Sequence, residues 1–263
     1  MLRSVKSLEG NTLGATDGTI GRVKDFYFDD EAWVIRYVVV DTGAWLGGRK
    51  VLVSPYLIRE PGTVLGTLPI AVTREQIRNS PGIDTDKPIS RQYEKSYLGY
   101  YDYPYYWGGS GFWGDFANPG TLTARPGENP YRGHLRAPSG EDAGGDPHLR
   151  SCNSVHGYHI VASDGELGHV QGFLLDDQTW AISYLIVNTS SWWLEHDVLV
   201  SPESIRSVSW REGTVTVELT RETIRDAPVY DGKETQEQSP GTFIAAAGST
   251  AAHRAARAAD AHD

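Results

Sequence analysis

The stretch Asp17-Gly18-Thr19-Ile20-Gly21-Arg22-Val23-Lys24-Asp25-Phe26 decides the fold. A related stretch, Asp164-Gly165-Glu166-Leu167-Gly168-His169-Val170-Gln171-Gly172-Phe173, follows it 147 residues later. The same offset relates residues 2–84 to residues 149–231 without insertion or deletion. A repeat of this length has a core of its own, since solenoid repeats are shorter and rely on their neighbours. The sequence therefore predicts two small, similar domains in one chain.

Alternating apolar residues predict that each copy is mainly β. In the first copy, turn residues separate five strand candidates, at residues 12–15, 20–29, 33–41, 51–53 and 63–72. A short helix with a Thr-x-x-Gln capping box is predicted from Thr73 to Arg78, and Ser54-Pro55 opens a single turn. Many short strands with one terminal helical turn are typical of a small closed or partly closed β-barrel.

The residues quoted above, together with Asp29-Asp30, Trp33-Val34-Ile35-Arg36-Tyr37-Val38-Val39-Val40-Asp41 and Val51-Leu52-Val53-Ser54-Pro55, resemble the PRC-barrel domain family. This module occurs in the cytoplasmic part of the photosynthetic reaction centre H subunit of purple bacteria and in a bacterial ribosome-maturation factor. The second copy looks the same, and the chain resembles bacterial proteins that carry two such barrels in tandem. The resemblance implies a non-catalytic barrel used for protein contact and assembly, and it supplies no catalytic residues.

The repeat and the composition divide the chain into four parts. We predict a first barrel at 1–84, an aromatic-rich segment followed by a Pro/Gly tether at 85–148, a second barrel at 149–231 and a disordered Ala-rich tail at 232–263. Repeated domains often pack with a pseudo-twofold relation, so the barrels are expected to pair within the chain or between chains.

Charge and cysteine content exclude several classes of protein. The formal charge is -10; residues 1–90 hold 11 basic and 11 acidic side chains, and residues 149–231 hold 5 and 12. This balance argues against nucleic acid as a direct partner, because nucleic-acid binding needs Lys and Arg to neutralise phosphates. A single cysteine, Cys152, allows no intrachain disulfide, and no signal peptide or membrane span is predicted. We expect a cytoplasmic protein with Cys152 as a small buried side chain.

Aromatic residues supply the candidate contact sites. Residues 93–116 hold seven tyrosines, two tryptophans and two phenylalanines, and this density predicts an ordered segment, because disordered linkers are poor in aromatic residues. The rings either cover exposed sheet edges or form a patch that docks a partner. Recurrent loop tryptophans either close a barrel mouth or contribute to such a surface. The predicted contact residues for a partner or ligand are Trp45, Trp192, Trp193, Tyr105, Tyr106, Trp107 and Trp113.

Reactive groups offer little support for catalysis. The only cluster of residues suited to metal binding consists of His156, His159, His169 and His196. The first copy lacks all four, so we interpret them as surface histidines. The pairs Asp29-Asp30 and Asp176-Asp177 fall in predicted hairpin turns, where Asp bonds to local backbone groups. We therefore predict no cofactor and no metal.

Three functions remain open from the sequence. The preferred one is a non-enzymatic protein-interaction or assembly module. The second is a small-ligand sensor with an aromatic-lined pocket at or between the barrels, involving Trp45, Trp192, Tyr105 and Tyr106. The third is a metal-assisted enzyme that uses the four histidines.

Overall fold

The computed structural model describes residues 1–59, 66–82, 89, 91–107, 109–122, 148–189 and 196–232. It is mainly β and divides into two compact units. One unit consists of Met1–Val155 together with Phe173–Ile182. The other consists of His156–Gly172 and the described residues from Ser183 onward. The predicted domain boundaries differ from this division and stay predictions, as does the tail, which lies outside the described residues.

Short strands dominate the first copy. Its described strands are β1 (Leu2–Ser4), β2 (Thr12–Ala15), β3 (Gly18–Asp29), β4 (Val34–Asp41), β5 (Lys50–Val53) and β6 (Thr67–Pro69). Its helices are α1 (Val5–Leu8), α2 (Arg74–Arg78) and, in the aromatic segment, α3 (Arg91–Tyr101). Single 3-10 turns span Gly43–Leu46, Pro55–Leu57 and Pro119–Leu122.

The second copy repeats this order. Its described strands are β7 (Leu149–Ser151), β8 (His159–Ala162), β9 (Gly165–Asp176), β10 (Ile182–Asn188), β11 (Asp197–Val200), β12 (Ile205–Ser209) and β13 (Thr214–Val217). Its helices are α4 (Cys152–Val155) and α5 (Arg221–Arg225), and a 3-10 turn spans Pro202–Ser204.

The strands form two sheets, as the sequence predicted. The order is β5-β4-β3-β2-β6 in one and β11-β10-β9-β8-β13-β12 in the other, with β2–β6 and β8–β13 as parallel pairs. Strand pairing among the described residues closes neither sheet into a full ring. In the first sheet, Ile58 directly follows the 3-10 turn after β5 and forms an antiparallel bridge with Ile70, just beyond β6. This isolated bridge joins the segment after β5 to the end of β6, which are the two ends of the strand order in this sheet, and closure into a barrel stays a prediction.

The predicted helix signals are confirmed. The Thr73 hydroxyl accepts a bond from the Gln76 amide at 3.2 Å, and the Gln76 side chain accepts one from the Thr73 amide at 2.9 Å, which forms the capping box of α2. The Ser54 hydroxyl caps the 3-10 turn through the Tyr56 amide at 3.4 Å. The predicted third strand begins one residue later than expected, because Trp33 adopts a left-handed turn conformation with φ 55°.

The core of the first sheet centres on β4. Every residue from Val34 to Val40 is buried, so both faces of this strand are covered. Phe26 and Phe28 of β3 are buried on the same sheet. Gly21 lets β3 approach the Asp41 carbonyl so closely that a Cβ at this position would lie 1.9 Å from that oxygen.

The copies exchange their first strands, which the sequence did not predict. β1 pairs with residues 174–176 of β9, and β7 pairs with residues 27–29 of β3. Each partner lies 147 positions from its counterpart, so the two pairings are equivalent by the repeat. Both pairings fall within the first compact unit. Each copy thus contributes a three-residue strand to the sheet of the other.

The residues at the starts of β4 and β10 also pair symmetrically. Val34 and Ala181, which occupy the same place in the two copies, form an antiparallel bridge. The Ile35 amide donates to the Trp180 carbonyl at 2.8 Å, and the Ile182 amide donates to the Trp33 carbonyl at 2.7 Å. This contact is isologous, because equivalent residues exchange roles across it.

Ion pairs flank the exchanged strands with the same symmetry. Arg3 meets Asp177 at 3.0 Å, and its equivalent Arg150 meets Asp30 at 2.7 Å. In each hairpin the first aspartate accepts bonds from the loop backbone: Asp29 binds the amides of Glu31 and Ala32 at 3.1 Å. The four carboxylates of the aspartate pairs therefore have structural roles: the first of each pair stabilises the hairpin turn, and the second binds an arginine of the exchanged strand.

No helix among the described residues combines the length and apolar character needed to span a membrane.

Candidate interaction surfaces

Helix α3 covers the edge of the first sheet. The Tyr97 hydroxyl accepts a hydrogen bond from the Ser54 amide at 3.0 Å and donates one to the Leu52 carbonyl at 3.1 Å. These backbone groups lie on and just beyond β5, the terminal strand in the order of that sheet. The Tyr97 hydroxyl thus forms the two backbone hydrogen bonds that a neighbouring strand would otherwise form. Burial raises the pKa of Tyr97 well above its usual range. An edge covered in this way is protected from pairing with another chain.

We expect Tyr97→Phe to lower the free energy of unfolding by about 2 kcal/mol, because it leaves the Ser54 amide and the Leu52 carbonyl buried without a partner. Urea denaturation measures the loss, and amide hydrogen exchange at Ser54 should become faster. Tyr100→Phe is the control, since the Tyr100 side chain is exposed and its hydroxyl donates to the Gln76 carbonyl at the protein surface. Equal stability of the two variants would contradict this role.

A buried polar network lies beneath α3. Glu94 has no exposed surface, and its Oε1 accepts hydrogen bonds from the hydroxyls of Tyr37, at 3.2 Å, and Tyr106. Its Oε2 lies 3.0 Å from Nε2 of His148, which is also 3.1 Å from the Tyr106 hydroxyl. Burial, then the charge of Glu94, raises the pKa of Tyr37, so this phenol stays a donor. The network joins α3 to β4 and to the residue before β7.

Arg36 links the aromatic segment to the hairpin loop. It is 3% exposed and lies 3.9 Å from the centre of the Tyr106 ring and 5.0 Å from that of Trp113. Its guanidinium donates to the Phe112 carbonyl and, at 3.3 Å, to Asp29. The indole of Trp113 donates to the Thr179 carbonyl at 2.7 Å. The segment is thus ordered by interior contacts in the first compact unit.

The predicted contact residues separate into three groups. Trp113 and Tyr106 are 0% and 4% exposed, so their rings belong to the interior. Tyr105 and Trp107 are half-buried and stack with ring centres 4.7 Å apart, and Trp45 is also half-buried. Trp192 and Trp193 lie outside the described residues. Contact with a partner stays a prediction and falls on Tyr105, Trp107 and Trp45.

Two arginines of α2 cover the ring of Trp45. The guanidinium carbons of Arg74 and Arg78 lie 4.4 Å and 5.6 Å from the ring centre, within the range of a cation–π interaction. The indole N–H donates to the Ile20 carbonyl, which fixes the ring over the start of β3. Arg49 extends this surface, because its guanidinium donates to the carbonyls of Arg78 at 3.3 Å and Ser80 at 2.9 Å.

An open groove of about 370 Å³ lies beside the exchanged strand β7. Lys24, Lys50, Asp25 and Ser151 are among its mainly polar lining residues. Asp25 accepts a bond from the Ser151 hydroxyl at 2.6 Å. Burial raises the pKa of Asp25, although this hydrogen bond opposes the shift. Trp45, Tyr105 and Tyr106 do not line this groove, Trp192 lies outside the described residues, and the sensor alternative stays a prediction.

Cys152 lies in the interior of the protein, and His159 forms a surface pair. Burial, then the nearby charge of Asp25, raises the pKa of the Cys152 thiol well above its usual range. His159 lies 3.3 Å from Glu166 in an exposed pair. Within the described ranges, no group of three or more His, Cys, Asp or Glu side chains could hold a metal ion.

Comparison with protein families gives a match within the first copy. The family model described as the PRC-barrel domain matches residues 4–65. This part of the chain is a PRC-barrel domain. The match confirms the resemblance seen in the sequence and spans β2 to β5 of the first copy, while the second copy repeats the same order of strands and turns. A comparison with curated proteins found no match.

Sequence reasoning missed the residues that anchor the aromatic segment. The segment was expected to be ordered, but α3 and the roles of Glu94, Tyr97 and Arg36 were not foreseen. A signal was present for Arg36, because an arginine at the centre of a strand of buried apolar residues needs internal partners. The partners themselves are distant in sequence and carry no recognisable spacing.

Proposed function

We propose that this chain is a non-enzymatic protein-interaction and assembly module, in which two PRC-type copies act as a fused pair. The observation that carries the proposal is the reciprocal exchange of β1 and β7, together with the symmetric bridge between Val34 and Ala181. Such pairing is how identical subunits assemble, since an isologous contact uses one surface twice. Here both halves of the contact belong to one chain.

The roles of the polar groups support the same proposal. The carboxyl groups of Asp29, Asp30 and Asp177 hold turns or exchanged strands, and that of Glu94 holds the aromatic segment. A general base would need an accessible position beside a substrate. These four carboxyl groups instead stabilise the structure of the first compact unit. Its half-buried rings, Tyr105 and Trp107, provide contact area for a partner.

The test is cross-linking of the full chain in its native cell, followed by quantitative mass spectrometry. We expect a protein partner in an amount comparable to that of the chain, and reduced capture by the Tyr105→Ala/Trp107→Ala variant. Val229→Ala is the control, because Val229 is 62% exposed and lies far along the chain from the aromatic segment. Absence of any partner at comparable abundance would contradict the proposed function.

A further inference from the structure

We propose that the patch formed by Trp45, Arg49, Arg74 and Arg78 binds an acidic segment of a partner protein. This inference rests on the proposed function and names the chemistry of the partner. The patch is called the arginine–tryptophan patch below. Its three guanidinium groups form a concentrated positive charge in a chain whose formal charge is -10.

The arginine–tryptophan patch is held in a defined geometry. Trp45 is fixed by its bond to the Ile20 carbonyl, and Arg74 and Arg78 lie over its ring. Arg49 is fixed by two carbonyls at the end of α2. Side chains that are already ordered lose little conformational entropy when a ligand binds. The patch is therefore prepared for binding instead of being a set of mobile surface charges.

The arginines of the patch differ from Arg3 and Arg150 in their ion pairing. Among the described residues, no Asp or Glu oxygen forms an ion pair with Arg49, Arg74 or Arg78, in contrast to Arg3 and Arg150. The nearby acids have other roles or positions. Asp17 accepts a hydrogen bond from the Arg74 amide at 2.8 Å, as Asp164 does from the Arg221 amide, but unlike Asp164 it forms no ion pair with the guanidinium. Asp41 accepts a bond from the Gly43 amide at 2.9 Å, and Glu75 is exposed on α2. Within the part of the chain that the structure describes, the guanidinium groups of Arg74 and Arg78 are therefore not neutralised by a carboxylate, while that of Arg49 donates to two backbone carbonyls.

The second copy provides an internal comparison. Arg221 and Arg225 occupy the places of Arg74 and Arg78, yet both have carboxylate partners. Arg221 lies 3.8 Å from Asp164, and Arg225 lies 3.4 Å from Glu222 and 3.1 Å from Asp226.

One substitution between the copies accounts for part of this difference. The place of Asp226 is taken by Asn79 in the first copy, which removes one negative charge beside Arg78. The shared fold therefore does not require unpaired arginines at these positions, and their unpaired state is specific to the first copy.

Protein carboxylates fit this patch better than other anions do. The guanidinium fork binds a carboxylate through two parallel hydrogen bonds, and an indole beside it offers a surface for the apolar part of a peptide. Nucleic acid and anionic membranes select an extended basic surface, whereas residues 1–90 hold equal numbers of basic and acidic side chains. A short acidic segment needs only a small positive surface.

The test measures binding of a fluorescein-labelled deca-glutamate peptide to the full chain by fluorescence anisotropy at low ionic strength. We expect Arg74→Gln/Arg78→Gln to weaken binding at least about tenfold, since two charge-assisted contacts are lost. Arg221→Gln/Arg225→Gln is the matched control and should change the affinity by less than about twofold. Arg78→Gln alone, at an exposed side chain, provides a second variant if the double variant does not fold.

Three outcomes would overturn the inference. The first is an equal loss of peptide binding in the two double variants. The second is tighter binding of a single-stranded oligonucleotide, or of vesicles rich in phosphatidylserine, than of the peptide at the same ionic strength. The third is capture of the cellular partner by Arg74→Gln/Arg78→Gln at the wild-type level, which rejects the patch as the docking site while the proposed function stands.

Discussion

Gly21→Ala and Gly168→Ala are each expected to lower the free energy of unfolding by about 3 kcal/mol, at the upper end of the usual range for overpacking. The two glycines occupy the same place in the two copies. A Cβ at Gly21 would lie 1.9 Å from the Asp41 carbonyl oxygen, and one at Gly168 would lie 2.0 Å from that of Asn188. These obstacles are backbone atoms, so no side-chain rotation relieves them. Urea denaturation monitored by circular dichroism measures each loss.

Gly172→Ala on the same strand as Gly168, β9, is the matched control. A Cβ there would meet only the Cδ1 atom of Ile186 at 3.6 Å, an ordinary contact with the end of a flexible side chain. We expect no loss of stability, because alanine suits a strand interior about 0.5 kcal/mol better than glycine. If Gly21→Ala and Gly168→Ala were as stable as Gly172→Ala, that result would contradict the close contact of Gly21 with Asp41 and of Gly168 with Asn188.

Glu94→Ala is expected to lower the free energy of unfolding by about 4 kcal/mol. The variant removes the acceptor of the Tyr37 and Tyr106 hydroxyls and the partner of His148, and it leaves a cavity under α3. A buried polar group that loses a hydrogen-bond partner costs about 1 to 3 kcal/mol, and the loss is smaller for Tyr106 and His148, which keep their contact with each other. Because the network joins α3 to the residue before β7, hydrogen exchange should accelerate in the β3–β7 pairing as well as in α3.

Two further variants serve as comparisons for Glu94→Ala. Glu94→Gln keeps one acceptor oxygen and nearly the same volume, so we expect it to retain more than half of the lost stability. Glu75→Ala removes an exposed carboxylate from α2 and should change stability by less than about 0.5 kcal/mol. A loss in Glu94→Ala no greater than in Glu75→Ala would show that the network does not hold the segment in place.

The repeat made most of the strand order predictable. The strands β2 to β5 and the helix α2 lie close to their predicted positions. They were predictable because alternating apolar positions and the Thr73 capping box are local features, and because equivalent residues recur at a constant spacing. Trp33 escaped prediction, because a tryptophan rarely adopts a left-handed conformation and the hairpin geometry imposes it. The last predicted strand of the first copy partly lies outside the described residues.

Long-range features were not predictable. A three-residue strand such as β1 shows no periodicity, and nothing in Leu2–Ser4 indicates that its partner lies in the other copy. Helix α3 was missed because its tyrosines and Gly99 favour helix only weakly, and burial of Tyr97 and Glu94 against the sheet decides the conformation.

The sequence identified some residues of the contact sites but not the side chains that surround them. Trp45 was identified from its recurrence in equivalent loops, but the arginines stacked on it lie about 30 residues further along the chain and were not foreseen. The density of aromatic residues indicated that residues 93–116 are ordered. It did not separate the buried rings of Tyr106 and Trp113 from the half-buried rings of Tyr105 and Trp107, because that distinction depends on the placement of Arg36.

The reciprocal pairing of the two copies within one chain is tested most directly by a disulfide across its symmetric bridge. Val34 and Ala181 form an antiparallel bridge flanked by hydrogen bonds, a pair type whose Cα atoms lie about 4.5 Å apart, within the range that a disulfide spans. Val34→Cys/Ala181→Cys would be made in a Cys152→Ser background. After mild oxidation, we predict a monomeric species in which mass spectrometry finds the peptides around positions 34 and 181 joined. An unlinked protein, or links formed only between chains, would contradict the account.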